Sequence, residues 1–335
     1  MSRNTDQKGN RTENKGKKKD REKEKEEKEK EEEKKEKKEQ KREKEEPERE
    51  AGSPCWCGSG LPYASCHREA ERKLELFRAR GEHVPDRRLI RNREQLAGIR
   101  EAGRVNALVL DAVAEMVHEG ISTQQIDDTV RRVTGELGGR PACLGFEGYP
   151  KSVCTSVNDV ICHGIPRADQ ILHAGDILNV DCTTEYGGYI GDASRMFCIG
   201  TPSPEAAALV RVTGEAVERA LSVLHPYCHL GDIGAEIESY VGRHGYTVVH
   251  EIGGHGVGLS MHEEPYVAHY GRAGHGMLLF PGMVFTIEPM VNAGSRRFVV
   301  DPVDGWTVRT ADHSLSAQVE YMIEMTEEGP VVLSR

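Results

Sequence analysis

The chain has no hydrophobic run long enough to cross a membrane, and its first residues lack the apolar core of a secretory signal. We therefore expect a cytoplasmic protein without a membrane partner. Its nine cysteines are an odd number scattered over 335 residues, which favours reduced thiols and metal ligation over a disulfide framework. The length is sufficient for one large domain or two ordinary ones with a buried core.

A basic excess is also missing from most of the chain. Residues 51–335 carry 25 Lys and Arg against 37 Asp and Glu, which argues against a nucleic-acid-binding surface on the main body. Residues 1–50 hold 20 Lys and Arg and 18 Asp and Glu with almost no apolar side chains. They cannot build a core, and we predict a charged arm that is helical through Glu–Lys pairs or disordered. A solvated spacer and an arm that binds a highly charged partner both stay open.

Three cysteines and a histidine fall within thirteen residues, as Cys55, Cys57, Cys66 and His67. Thiolates and imidazole are the donors of a closed tetrahedral zinc site, and the glycines between them let a short loop fold around one ion. We predict one structural zinc ion in a module over residues 51–84 that includes a linker helix; chance cysteines are the alternative. The spacing Cys-x-Cys-x8-Cys-His resembles the SEC-C zinc motif, which docks partner proteins or the ribosome in its family.

Residues 85–335 have the pattern of an α+β domain. Apolar spacing and capping residues predict helices over 96–120, 123–137, 204–224 and 232–244, and a shorter one through residue 80. Ser122 with Gln125, Ser203 and Asp232 are the expected N-terminal caps of the last three helices of that domain. Strands are expected near 153–157, 177–184, 189–198, 247–250, 283–288, 318–325 and 331–334. A helix pair followed by a hairpin sheet occurs twice, which predicts two similar halves with a site between them.

Two of these strands read as a hairpin that turns at the glycine pair 187–188. This turn makes Asp181 oppose Ser194 and Thr183 oppose Asp192, so both aspartates share one face of the sheet. Their strand neighbours are apolar, which predicts that the carboxylates are at least partly buried and need protons, cations or metal ions. Two surface aspartates that flank a turn are the alternative.

Five further residues are candidates for metal binding or acid–base chemistry, namely His163, His255, His262, Glu288 and Glu320. The two glutamates stand in apolar runs, where a buried charge is costly without a partner. With the two aspartates and His255 they form an oxygen-rich ligand set that suits a pair of Mn, Fe, Co or Zn ions. The glycines around His255 do not have the spacing of a phosphate-binding loop.

Long motifs from residue 94 to 332 resemble a type I methionine aminopeptidase, a pita-bread enzyme of the M24 metallopeptidase family. They are Cys-Leu-Gly-Phe-Glu-Gly-Tyr-Pro-Lys-Ser-Val-Cys at 143–154, Cys-His-Gly-Ile-Pro at 162–166, Gly-His-Gly-Val-Gly at 254–258, His-Glu-Glu-Pro at 262–265 and Thr-Ile-Glu-Pro-Met at 286–290. Only 32 residues separate His255 from Glu288, too few for the insertion of the type II enzymes. The resemblance implies a curved antiparallel sheet from two pseudo-symmetric halves flanked by helices.

The resemblance also implies roles for the site residues. Asp181 chelates one ion, Asp192 and Glu320 bridge both ions, and His255 and Glu288 complete the other. Glu288 also accepts a proton, His163 contacts the scissile amide and His262 stabilises the oxyanion. The methionine side chain of the substrate occupies a pocket of sulfur and aromatic groups, lined by Cys143, Phe146, Tyr149, Cys154, Met261 and Trp306.

The implied function is co-translational removal of the initiator methionine from nascent proteins with a small second residue, by attack of a metal-activated water on the first peptide bond. The implied enzyme acts as a monomer, and the zinc motif or the charged arm binds the ribosome. One rival is a proline-specific aminopeptidase of the same fold. Another is a non-catalytic pita-bread protein that binds partners, and a third is an adaptor whose zinc module is its main functional part.

Overall fold

The computed structural model describes Glu50 and residues 52–335. The predicted charged arm lies outside the described residues except for Glu50. Residues Pro54–Arg335 form one compact unit, whereas the domain limits predicted at residues 50 and 84 stay predictions. Among the residues described, no helix combines the length and the apolarity that crossing a membrane requires.

Residues 52–335 contain five α-helices: α1 (Arg68–Ala79), α2 (Arg93–Met116), α3 (Thr123–Glu136), α4 (Pro204–Val223) and α5 (Leu230–Arg243). The predicted capping box of Ser122 and Gln125 begins α3, and Ser203 caps α4 as expected. A second capping box, formed by Asn92 and Gln95, begins α2. Reciprocal bonds of this kind satisfy amide groups that have no partner inside a helix.

The N-terminal cap predicted for α5 is wrong. The helix begins at Leu230 with His229 as its cap residue, and Asp232 occupies the third helical position. From there its Oδ2 reaches back to accept the amide of His229 at 2.8 Å. A carboxylate at the third helical position can accept the amide of the cap residue, so an aspartate near a helix start need not be the cap itself. The sequence pattern therefore placed the start of α5 too late.

Fifteen strands lie in the described residues: β1 (Arg140–Pro141), β2 (Cys154–Val157), β3 (Val160–Cys162), β4 (Ile177–Tyr186), β5 (Tyr189–Cys198), β6 (Thr247–Val248), β7 (Gly254–Gly256), β8 (Glu263–Val267), β9 (Val284–Ile287), β10 (Met290–Asn292), β11 (Phe298–Val300), β12 (Val308–Thr310), β13 (Ser316–Gln318), β14 (Tyr321–Thr326) and β15 (Gly329–Ser334). They form sheets of order β1-β4-β2 with β5 also on β4, β13-β10-β6, β11-β12-β3 and β15-β14-β9-β7-β8. The pairs are antiparallel, which confirms the α+β class.

The strand predicted over 318–325 is wrong as a single strand. The chain pairs with β10 as far as Gln318 and with β9 from Tyr321 onward. Between them Glu320 forms an isolated bridge with Ser194 of β5. The chain changes sheets at this point, and the bridge connects the hairpin sheet to the second half of the molecule.

Short strands were missed where glycine hides the strand pattern. In β7, a side chain at Gly254 would place its Cβ 2.4 Å from Thr286 O, and one at Gly256 would place it 2.0 Å from Glu264 O. Such approaches admit only glycine, although glycine is otherwise depleted in strands. Close backbone contact on both sides of His255 is therefore a requirement of this sheet.

Each half has a large apolar cluster, and a smaller cluster that includes Ile99, Ile190, Val284 and Met322 joins the two halves. Val109, Leu110 and Val113 of α2 pack on Leu178 and Val180 of the hairpin in one cluster. The larger cluster contains α4, α5 and the strands β9 and β14, and it also includes Leu74 of α1. Phe77 packs against the same cluster, so Leu74 and Phe77 give α1 an apolar face that lies on this core.

Candidate metal centre and active site

The β4–β5 hairpin has the register that the glycine turn predicts. Asp181 pairs with Ser194 and Thr183 pairs with Asp192, so both aspartates lie on one face. Asp192 is 3% exposed and Asp181 is partly buried. The surface alternative is therefore wrong, and the hairpin presents two carboxylates to the interior.

The second half of the chain brings an imidazole and two more carboxylates to this face. His255 lies in the middle of β7, Glu288 directly follows β9 and Glu320 directly precedes β14. The β9–β14 register pairs Tyr321 with Ile287, so Glu320 and Glu288 lie one residue beyond that pair. Glu320 is also held next to the hairpin, because its amide and carbonyl both bond to Ser194 at 3.3 Å.

The orientation of His255 suits a metal ligand. Its Nδ1 lies 3.0 Å from Gly256 O and donates to it, so Nε2 carries the lone pair. Nε2 lies 3.5 Å from Glu288 Oε1 and 3.9 Å from Asp192 Oδ2. Burial lowers the pKa of His255, which keeps the ring neutral and able to bind a cation.

The carboxylates of this cluster cannot all be charged without a cation. Burial raises the pKa of Asp192 to about 7. Burial, together with the neighbouring carboxylates, raises the pKa values of Asp181, Glu288 and Glu320 well above their usual range. One ligand atom each from Asp192, His255 and Glu320 lies within 4.8 Å of the others. Hard oxygen donors, a neutral imidazole and uncompensated buried acids fit divalent metal ions.

Residues that the sequence analysis did not assign to the site orient these carboxylates. Thr183 Oγ1 donates to Asp192 Oδ1 at 2.9 Å, and Thr286 Oγ1 donates to Glu288 Oε1 at 2.7 Å. Gln318 Nε2 donates to Glu288 Oε2 at 3.2 Å. Each of these three residues lies on a strand that also carries or adjoins a ligand, so strand alternation was the signal that could have revealed them.

Two further histidines face the same space. The His262 ring lies edge-on to the His255 ring with centroids 4.4 Å apart, and the His163 ring is 6.1 Å from that of Trp306. Burial lowers the pKa of both His163 and His262 to about 4. Both rings are therefore neutral at pH 7, and each can donate one hydrogen bond and accept another.

A cavity of about 350 Å³ connects all of these groups. The thirteen predicted residues of the metal centre and substrate pocket all line it. At one end Cys143, Tyr149 and Cys154 form an apolar cluster against which Met261 and Trp306 pack. The Phe146 ring lies edge-on to His262 with centroids 5.2 Å apart. A pocket of sulfur and aromatic surface thus opens directly onto the carboxylate cluster.

The four N-terminal donors also come together. Cys55 Sγ and Cys66 Sγ each lie 3.2 Å from His67 Nδ1, and Cys57 Sγ lies 3.6 Å from Cys66 Sγ. Donors about 2.3 Å from a tetrahedral zinc ion are roughly 3.8 Å apart, so this cluster has the size of a zinc site. His67 directs its other nitrogen to Ile90 O at 2.9 Å, the outer contact that a histidine ligand commonly makes.

Sequence families match both parts of this arrangement. Residues 97–327 match the metallopeptidase family M24, and residues 53–69 match the SEC-C motif. The chain is 46% identical over 243 residues to methionine aminopeptidase A of Synechocystis sp., which covers 72% of this chain and 96% of the relative. A methionine aminopeptidase of Chlamydia trachomatis is 41% identical over 289 residues, or 84% of this chain and 97% of the relative.

Solved structures agree with these matches. The crystal structure of methionine aminopeptidase from Rickettsia prowazekii has a TM-score of 0.72 and 40% identity, covering 73% of this chain and 99% of that one. A prolidase from Pyrococcus horikoshii, at 21% identity and a TM-score of 0.60, shows the shared fold alone. The predicted pita-bread fold is thereby confirmed, and the chain belongs to metallopeptidase family M24 and, within it, to the type I methionine aminopeptidases.

Proposed function

We propose that this protein removes the N-terminal methionine from nascent polypeptides whose second residue is small. One observation carries the proposal: a single cavity joins the cluster of buried acids and His255 to a pocket lined with sulfur and aromatic groups. Thioethers make favourable contacts with such surfaces. A methionine side chain in the pocket directs its own peptide bond towards the acid cluster, where hydrolysis takes place.

Asp181, Asp192, His255, Glu288 and Glu320 would hold two divalent ions in this cluster. Asp181 would serve one ion, His255 and Glu288 would serve the other, and Asp192 and Glu320 would serve both. When bound, the ions polarise the scissile carbonyl and make water a nucleophile at neutral pH. Co, Mn, Fe and Zn all suit this set of donors.

The chain's own residues handle the proton and the developing charge. Glu288 accepts the proton of the attacking water as general base. Its two oxygens accept bonds from Thr286 and Gln318, which fix the direction of the carboxylate. His163 contacts the scissile amide, and His262 donates to the oxyanion as the tetrahedral centre forms. Both histidines are neutral near pH 7 because burial lowers the pKa of each to about 4.

The pocket selects methionine through the surfaces of Cys143, Phe146, Tyr149, Cys154, Met261 and Trp306. A proline-specific aminopeptidase is the weaker alternative, because the prolidase likeness concerns the fold alone. A non-catalytic binding protein is also weaker, because the residues of the metal cluster and both histidines line the cavity together.

The N-terminal module holds one structural zinc ion through Cys55, Cys57, Cys66 and His67. In this proposal the module or the charged arm brings a monomeric, cytoplasmic enzyme to the ribosome, where N-termini emerge. Deleting residues 1–50 tests the arm, and the double change Cys55→Ser and Cys57→Ser tests the module. Loss of co-sedimentation with ribosomes is the expected result for whichever element binds, and methionine release is expected to stay unchanged in the arm deletion. Unchanged co-sedimentation in both variants would contradict the docking role.

The enzymatic proposal is tested on chelator-stripped protein. Release of the first residue from Met-Ala-Ser is compared with release from Ala-Pro-Ala while Mn, Fe, Co or Zn is added back in turn. Metal-dependent cleavage of the methionyl peptide only, abolished in Asp192→Asn, is expected. Cleavage of Ala-Pro-Ala instead would favour the proline-specific alternative. A folded protein that cleaves neither peptide with any metal would favour a binding role.

A further inference from the structure

The N-terminal Cys/His cluster (Cys55, Cys57, Cys66 and His67) contacts the segment that precedes helix α2. While His67 Nδ1 faces the cluster, its Nε2 donates to Ile90 O at 2.9 Å, and both residues are buried. The Arg87 guanidinium lies 4.9 Å from the centroid of the Trp56 ring. The conformation of residues 87–92 therefore depends on the folded cluster.

The residue after Ile90 carries a buried charge. The side chain of Arg91 is 4% exposed, and its guanidinium forms an ion pair with Glu263, whose side chain is 15% exposed. Arg91 Nη1 also donates to Arg88 O at 3.0 Å, and the Arg91 amide donates to Gly282 O at 2.9 Å. These contacts hold the Arg91 side chain in place. Removing either partner of the ion pair would leave the other charge buried and uncompensated.

Glu263 uses its other oxygen to hold the loop that carries His262. Oε1 accepts the amide of Leu259 at 2.8 Å and that of Ser260 at 2.9 Å. We call residues 259–263 the His262 loop. One carboxylate therefore closes this loop and is itself fixed by Arg91. Without the guanidinium, Glu263 loses the ionic partner that fixes the carboxylate bound to the amides of Leu259 and Ser260, in the loop that carries His262.

We propose that Arg91 is a positioning residue, which the N-terminal Cys/His cluster holds in place and which fixes His262 through Glu263. Occupation of the cluster by metal then regulates turnover at an active site to which the cluster contributes no ligand. The inference rests on the proposed function, because it concerns the oxyanion-binding residue of that reaction. The inference extends the proposed function by giving the N-terminal module an effect on the active site.

The molecule offers a matched control. Arg100 lies in α2, and its Nε and Nη2 donate to Glu324 at 2.7 and 2.6 Å. Glu324 is 2% exposed. This pair also joins an arginine to a buried glutamate, but it connects α2 to β14, and the Arg100 side chain is 54% exposed. Arg91→Met and Arg100→Met each remove the arginine partner of a glutamate, and only the first removes a partner of the His262 loop.

The first test measures amide hydrogen exchange in the full chain with both metal sites loaded. Arg91→Met and His67→Gln are expected to speed exchange at the amides of Leu259 and Ser260 at least tenfold relative to the unaltered protein. Arg100→Met is expected to leave these two amides unchanged. Unchanged exchange in Arg91→Met would overturn the role of Arg91, and unchanged exchange in His67→Gln alone would overturn the regulatory role of the cluster.

The second test separates positioning from general destabilisation. With Mn saturating, Arg91→Met is expected to lower kcat for Met-Ala-Ser about tenfold, with a smaller change in KM. In a His262→Ala background the same substitution is expected to have no further effect on kcat, because its target is gone. Losses that multiply in the double variant would overturn the inference. Failure of the unaltered protein to release methionine would instead refute the proposed function. The hydrogen-exchange measurement would still show whether Arg91 and the cluster stabilise the His262 loop.

Discussion

Thr183 lies directly opposite Asp192 across the β4–β5 hairpin, and its hydroxyl donates a 2.9 Å hydrogen bond to Asp192 Oδ1. Both side chains are buried. The bond leaves the second carboxylate oxygen, Oδ2, on the side of His255, 3.9 Å from Nε2. Thr183 thus decides which oxygen of Asp192 faces the metal cluster.

The change Thr183→Val keeps the shape of the side chain and removes the donor. We expect metal affinity to fall about 10- to 100-fold, the usual effect of losing an outer partner of a ligand, as measured by calorimetric titration with Mn. The control is Thr184→Val, whose hydroxyl bonds to Asn106 at 2.8 Å and so points away from the cluster. Equal losses in both variants would show that the effect is general loosening of the hairpin.

Asp192 is expected to destabilise the metal-free protein as the pH rises. Its pKa is raised by burial to about 7 in the folded chain, against roughly 3.9 for an unfolded aspartate. Between these values the folded state binds more protons, so the stability that this carboxyl contributes is present at pH 4 and is lost as the pH rises through 7.

The measurement is the free energy of unfolding of stripped protein and of Asp192→Asn between pH 4.5 and 8. The difference between the two proteins reports Asp192 together with its repulsion of Asp181, Glu288 and Glu320, whose pKa values it helps to raise, whereas the buried histidines titrate in both proteins. We expect the unaltered protein to lose on the order of 3 kcal/mol relative to the variant over this range, and saturating Mn to restore the loss. A difference that does not change with pH would contradict the prediction.

Gly256→Ala is expected to disrupt the strand that presents His255. The new Cβ would lie 2.0 Å from Glu264 O, so β7 and β8 must separate, at a cost of about 2–3 kcal/mol. We also expect loss of one bound metal ion. The control is Gly214→Ala in α4, where no atom lies within 4 Å of the added Cβ; there alanine should stabilise by up to about 1 kcal/mol. Denaturant unfolding and metal analysis report both effects.

Helix α1 is expected to be part of the stable body. Phe77 stacks on Tyr227 with centroids 5.0 Å apart and meets the edge of Phe280 at 5.6 Å. Phe77→Ala should therefore cost about 2–3 kcal/mol of unfolding free energy. Leu76→Ala, at a position 43% exposed, should change it by less than about 0.5 kcal/mol. A truncation that removes α1 would expose Tyr227 and Phe280. Since α1 belongs to the compact unit that begins at Pro54, an N-terminal deletion should end before that residue.

Local signals predicted several structural features around the candidate site that the structure confirms. The glycine turn set the register of Asp181 and Asp192, because a two-residue turn leaves the flanking strands one pairing. The four N-terminal donors, which the structure brings together, were recognisable because they lie within thirteen residues of the sequence. The helix starts at Ser122 and Ser203 were likewise readable, whereas Asp232 misled because the same residue type serves as a cap and at the third helical position.

Distant partners left no such signal. Arg91 and Glu263 are 172 residues apart, and nothing in the pattern around either one predicts the pair. The unpredicted strands of two or three residues, such as β1 and β10, are too short for alternation to be visible. His269, which accepts the amide of Glu288 at 3.0 Å, is an ordinary histidine in the sequence.

Residue types and motifs in the sequence were enough to single out the hairpin aspartates, the motif histidines and glutamates, and the N-terminal cysteines, which the folded chain brings together in two clusters. Their residue types and short-range spacing follow from turn geometry and donor preference, which act over a few residues. The bridge between Glu320 and Ser194 and the ion pair between Arg91 and Glu263 can be seen only in the folded chain. Those contacts follow from how two sheets and a helix pack. Packing depends on the whole core, because burial stabilises any close arrangement of apolar surface and does not specify which residues meet.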